Sequence, residues 1–102
     1  MKPMMWAAVA ACVAAGPAWA GPEEVMTKSG CMACHTKDKK LVGPALKEVA
    51  TKYKGQAVTP TLAAKVRAGG KGNFGPIPMP PNGPDKISDA DLTAVVDWIL
   101  KL

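Results

Sequence analysis

Histidine occurs once in this chain, at His35, and that scarcity excludes more functions than any other feature of the composition. Sites built from several imidazoles are out of reach, and there is no spare histidine or obvious acid/base pair for general acid–base catalysis. Cysteine is nearly as sparse. The three residues are Cys12, Cys31 and Cys34, with no second Cys or His cluster to complete a four-ligand zinc tetrahedron. No segment alternates apolar and polar residues over a useful length, so neither strands nor a βαβ pattern is expected. The N-terminal apolar run falls short of the ~20 residues that a membrane-spanning helix needs. A net charge of +5, with no interleaving of aromatic and basic residues, is too weak a signal for nucleic-acid binding.

What is present is unevenly spread. Residues 1–20 open with a positive Lys2, continue as an Ala/Val-rich run and end in Ala18-Trp19-Ala20. This is the pattern of a secretory signal peptide with an A-x-A cleavage site, so cleavage after Ala20 and a mature chain of residues 21–102 are expected. A retained membrane anchor is disfavoured by the short run and its break at Gly16-Pro17. A lipoprotein signal at Cys12 is disfavoured because the apolar run continues past it. Removal of the leader leaves Cys31 and Cys34 as the only thiols of an exported protein. In an oxidising compartment such a pair is a disulfide, a metal site or a cofactor linkage.

Along the mature chain the pattern is all-α with long loops. Pro22-Glu23-Glu24 suits the first turn of a helix that runs to Gly30, with Val25 and Met26 facing inward. Ala45, Leu46, Val49, Ala50 and Tyr53 recur with helical spacing up to Gly55. Thr59-Pro60 reads as an N-cap followed by proline at the first helical position, opening a helix with Leu62, Ala63 and Val66 that ends at Gly69-Gly70. Glycine and proline then crowd residues 69–84, which predicts a stiff, ordered loop. Ser88-Asp89-Ala90-Asp91 caps a last helix whose buried stripe is Leu92, Val95, Val96 and Ile99, extended by Trp98 and Leu102.

The stretch Gly30-Cys31-Met32-Ala33-Cys34-His35 concentrates the chemistry. Two thiols separated by two residues on an incipient helical turn suit addition to the two vinyl groups of one porphyrin, with the next residue offering an imidazole to the iron. A zinc site lacks ligands here, and a thiol–disulfide oxidoreductase is disfavoured by the absence of a βαβ pattern. If His35 is one axial ligand, the other must come from elsewhere. Met26 and Met32 lie too close to His35 in sequence to reach the opposite face of the ring, which leaves Met79, braced by Pro78, Pro80 and Pro81. A thioether stabilises the ferrous iron and raises the potential, and two filled axial positions leave none open for oxygen or peroxide. A haem-based ligand-binding or peroxidase-like protein, in which Met79 dissociates readily, is the alternative.

Cys31-Met32-Ala33-Cys34-His35, Leu41-Val42-Gly43-Pro44, the run from Gly75 to Asn82 and the closing Trp98 helix together resemble the small class I cytochromes c of the bacterial c-551/c-552 (c8) group. The resemblance covers essentially the whole of residues 21–102. It implies a monomeric, single-domain cytochrome c fold of about four short helices around one covalent haem c, with the first and last helices packed across each other. It also implies that the Pro44 carbonyl accepts the His35 ring N–H and that the Asn82 side chain donates to the Met79 sulfur. The implied role is a periplasmic electron shuttle with no membrane anchor after cleavage. A membrane cytochrome complex is the implied donor, and a terminal oxidase, nitrite reductase or peroxidase the acceptor; haem-attachment machinery is needed for maturation. Two positions depart from the pattern. Met26 stands where relatives often carry an aromatic, leaving its sulfur to pack on Trp98. Phe74 replaces a tryptophan that gives an N–H to a haem propionate, a contact that Lys65 or Arg67 is then expected to supply. The lysines at 28, 37, 39, 40, 47, 52 and 54 are candidates for a ring that steers acidic partners.

Overall fold

The computed structural model describes residues 21–102, and within them the chain forms helices α1 (Pro22–Lys28), α2 (Leu46–Lys52), α3 (Thr59–Ala68) and α4 (Asp89–Leu100), with a single 3₁₀ turn at Cys31–Ala33. The expected signal peptide and Cys12 lie outside the described residues. Each helix has a local cause. Pro22 sits in the first turn of α1 beside Glu23 and Glu24, while Lys28 closes the negative end. Gly30 adopts φ +84°, the left-handed conformation that ends α1 and turns the chain into the 3₁₀ turn. At α4 the Ser88 hydroxyl accepts from the Asp91 N–H at 3.2 Å, as a capping side chain should.

Two boundaries differ from the sequence reading. Thr59 is already helical, following Val58, and its hydroxyl donates to Asp97 of α4 at 2.6 Å instead of capping its own helix. It thus ties α3 to α4. Helix α2 ends at Lys52, short of Gly55, which takes a left-handed turn at φ +77°.

Helix α4 is the hub, since α1, α2 and α3 all pack on it. Its Leu92, Val95 and Val96 join Val25 and Met26 of α1, Leu46 of α2 and Ile87 in one buried cluster. Leu62, Ala63 and Val66 of α3 press against the outside of that cluster. Met26 is its most completely buried side chain at 1% exposure, and Trp98 packs at its margin with the Lys37 ammonium 5.8 Å from the ring centroid. This core is small for the helices it must hold, because much of the remaining apolar surface faces an internal cavity. Ser29 fastens the end of α1 to the segment that precedes α4 through a 3.0 Å hydrogen bond to the Lys86 carbonyl.

Among the described residues no strand forms. The 69–84 loop is held by one antiparallel bridge, in which the Gly70 and Met79 backbones exchange hydrogen bonds of 3.0 and 2.8 Å.

Candidate cofactor site

His35 is positioned by the loop that follows it. The Gly43 N–H donates to the Cys34 carbonyl at 2.7 Å, folding the 36–43 segment back onto the cysteine motif. The carbonyls of Thr36 and Lys37 accept from the first N–H groups of α2, Leu46 and Lys47, at 2.9 and 3.1 Å. These bonds satisfy donors that a helix start leaves free. With the loop closed, Nδ1 of His35 lies 2.8 Å from the Pro44 carbonyl oxygen. A carbonyl only accepts, so Nδ1 carries the proton and Nε2 presents its lone pair. Gly43 lies against the imidazole so closely that a Cβ built there would fall 2.5 Å from Cε1 and 2.8 Å from Nδ1. No side chain fits between loop and ring.

Met79 is positioned from the other side of the sequence. Its backbone pairs with Gly70 at the end of α3, and Gly69 beside it has φ +70° with Met79 and Pro81 backbone atoms where a Cβ would be. Beyond Met79, the buried Asn82 anchors the loop. Its backbone N–H donates to the Val66 and Arg67 carbonyls at 3.2 Å, and its side-chain amide donates to Val66 at 3.2 Å and Pro80 at 3.0 Å. Both amide protons are therefore directed at backbone carbonyls and not at the Met79 sulfur, so in this structure Asn82 braces the chain around Met79.

These two halves meet at one cavity of about 270 Å³, lined by Cys31, Cys34, His35 and Met79. The rest of its wall is largely apolar, including Met26, Leu46, Val66, Val95, Val96 and Ile99. Cys31 and Cys34 are free thiols. Burial pushes the Cys31 thiol up from its ordinary value, against smaller opposing effects of its own backbone hydrogen bond and the Lys86 charge. A thiol–disulfide exchanger needs the opposite shift. Among the described residues no group of three or more His, Cys, Asp or Glu is placed to hold a metal ion.

The expected propionate contacts divide. Lys65 is exposed and lines the cavity. Arg67 does not line it: its guanidinium donates to the carbonyls of Asn82 at 3.2 Å and Ile87 at 2.7 Å and pairs with Asp89 at 2.5 Å. Arg67 is on the face of α3 that turns toward the 82–89 segment, so its charge is already committed. Sequence reasoning missed Gly70, whose only signal is a Gly-Gly pair placed one loop away from the methionine. It also missed Lys71 and Asn73 in the cavity wall. Phe74 is held without any N–H, edge-on to Tyr53 at 6.5 Å between ring centroids and under the Lys52 ammonium at 4.4 Å. Lys52 also donates to the Asn73 carbonyl at 2.5 Å, linking α2 to the loop.

The cytochrome c family model matches residues 21–102, the whole of the described chain. This chain belongs to the cytochrome c family. Cytochrome c2 of Rubrivivax gelatinosus is 54% identical over 83 residues, covering 80% of this chain and 98% of that protein. Cytochrome c-552 of Nitrosomonas europaea is 47% identical over 97 residues, covering 93% and 90% of the two chains. The crystal structure of the wild-type Nitrosomonas cytochrome c552 matches with a TM-score of 0.73 at 46% identity, over 78% of this chain and 98% of that one. As a cytochrome c of the c-551/c-552 type, the chain binds one covalent haem c with its iron and transfers electrons with redox partners; it is not an enzyme. The donor set suits that group. A soft thioether, an imidazole whose Nδ1 is engaged by the Pro44 carbonyl and two thiols share one largely apolar wall, and only a residue without a side chain fits at Gly43 beside the ring.

Proposed function

We propose that this cytochrome is an exported, periplasmic one-electron carrier in which Cys31 and Cys34 hold the haem through thioethers and His35 and Met79 are the axial iron ligands. The observation that carries the reading is the convergence of His35 and Met79, from loops far apart in the sequence, on the cavity that Cys31 and Cys34 line. When bound, haem c supplies a one-electron iron couple. The Pro44 carbonyl fixes the His35 tautomer and increases the basicity of Nε2. The Gly70 bridge and Asn82 hold Met79 against dissociation, which favours a closed coordination sphere over ligand binding or peroxidase chemistry. Apolar residues from all four helices exclude water, and Lys65, on the cavity wall, is the candidate to meet a propionate.

Val42 and Ile77 belong to the cavity wall and are also half exposed, at 48% and 57%, next in sequence to Leu41 at 52% and Pro76. Lys40, Lys65 and Lys71 are exposed on the same wall. An apolar mouth with surrounding ammonium groups suits brief, salt-sensitive contact with acidic redox partners, a membrane cytochrome complex on one side and a terminal oxidase, nitrite reductase or peroxidase on the other. Of the lysines first considered for this ring, Lys47 is engaged with Asp38 at 2.7 Å and Lys52 with Phe74, so the mouth lysines are the better candidates. Removal of residues 1–20 is part of the proposal.

Expression with a secretion and haem-attachment system, followed by intact mass measurement, tests this. A mature chain from Gly21 carrying one haem, lost when both Cys31 and Cys34 are changed to Ser, is expected. A colourless exported protein with two titratable thiols would overturn the reading.

A further inference from the structure

Arg67 has the most heavily used side chain outside the cavity wall. It is one-fifth exposed, whereas its partner Asp89 is 93% exposed. One arm of the guanidinium reaches the carbonyls of Asn82 and Ile87, and the other reaches Asp89 at the first position of α4. The Arg67 carbonyl accepts from the Asn82 N–H at 3.2 Å, so one residue holds both the N–H and the C=O of Asn82. Asn82 is three residues from Met79, and the intervening Pro80 and Pro81 have restricted φ and transmit its position with little slack. On the other side of Met79 the chain is pinned to Gly70, three residues after Arg67. The segment bearing the sulfur is thus closed into a short loop with both ends fixed to the C-terminal end of α3. Hydrogen bonds from a charged donor are the strong ones in such an arrangement.

We propose that Arg67 is a positioning residue for Met79: it clamps Asn82 and the start of α4 to α3 and so keeps the methionine sulfur in place against competing ligands. This rests on Met79 being an axial ligand. Loss of the clamp leaves Asn82 with only its own bonds to Val66, the Arg67 carbonyl and Pro80, and leaves the Ile87 carbonyl without the guanidinium, which loosens the 80–87 segment without removing any group from the cavity; haem attachment persists while Met79 exchanges more readily. The ion pair with Asp89 is not the agent. Asp89→Asn removes only an exposed negative charge and leaves both carbonyl contacts.

The test uses the oxidised holoprotein, with imidazole as the competing ligand and amide exchange of the Met79 N–H as a second readout. Thr59→Ala is the control, because it cuts the other side-chain tie between α3 and α4, remote from Met79. Arg67→Met is expected to bind imidazole about tenfold more tightly than the wild type and to speed Met79 amide exchange by a similar factor relative to Leu92. Thr59→Ala and Asp89→Asn should do neither. Wild-type behaviour of Arg67→Met, or an equal response from Thr59→Ala, would overturn the proposal. If Arg67→Met yields no holoprotein, Arg67→Lys, with its charge but no planar fork, is held to the same criteria. Failure of the underlying reading looks different: Met79→Ala would leave the wild-type spectrum unchanged.

Discussion

The ring Nδ1–H of His35 donates to the carbonyl oxygen of Pro44 at 2.8 Å, across nine residues of loop. That single bond sets the tautomer, the orientation and the basicity of the proposed ligand nitrogen. It exists because Gly43, with no side chain, allows the loop to close against the imidazole face.

Gly43→Ala should therefore act on the histidine. The added Cβ would sit 2.5 Å from Cε1, and relief requires the ring or the loop to move. A stability loss of about 1–3 kcal/mol is expected from such overpacking. The lengthened bond to Pro44 makes Nε2 less basic, so the midpoint potential should rise. Thermal unfolding and a redox titration check the two effects.

Gly69→Ala should act on the methionine. Its φ of +70° is strained for any residue with a Cβ, and the Met79 carbonyl stands 2.5 Å from where that atom would be. A loss of about 2 kcal/mol or more is expected. Amide exchange at Met79 and Gly70 should accelerate, because the bridge between them must open.

Lys52→Met should loosen the loop between them. The ammonium 4.4 Å from the Phe74 centroid, which also holds the Asn73 carbonyl, is largely exposed, so the cost should be only about 0.5–1 kcal/mol. Tyr53 and Phe74 side-chain resonances should shift while those of the core stay in place.

The Asp38 carboxyl is held below its ordinary value, first by its hydrogen bond from Lys47 and then by the charges of Lys47, Lys37 and Lys39. A depressed folded-state pKa adds stability above the unfolded value and gives it up as pH falls through the folded one. The contribution is small, because the pair is exposed. A carboxyl titration by NMR should show Asp38 with a lowered midpoint that returns toward the ordinary value in Lys47→Met.

The sequence made the helices legible because each carries its own local cause: Pro22 and the acids of α1, Ser88 before α4, and the Leu92, Val95 and Val96 stripe. That Cys31, Cys34, His35 and Met79 would come together was legible because chemistry restricts what such residues do jointly, and the fold brings them to one cavity. The role of Arg67 was not. A lone arginine near a cavity suggests an anion, and only the fold shows that its side chain points to the 82–89 segment instead. The hydroxyl of Thr59 was misread for a related reason. In sequence it resembles a cap, but Asp97, 38 residues away, competes for its proton. Gly70 carries no side chain to signal its pairing with Met79, and the Asn82 amide takes the carbonyls of Val66 and Pro80 as its acceptors.

The most direct measurement is the far-red absorption of the oxidised holoprotein, a weak band that depends on a methionine sulfur bound to iron. The wild type should show it and Met79→Ala should lose it, with the covalent haem retained. A band that survives Met79→Ala, or a wild type that lacks it, would contradict His35/Met79 ligation.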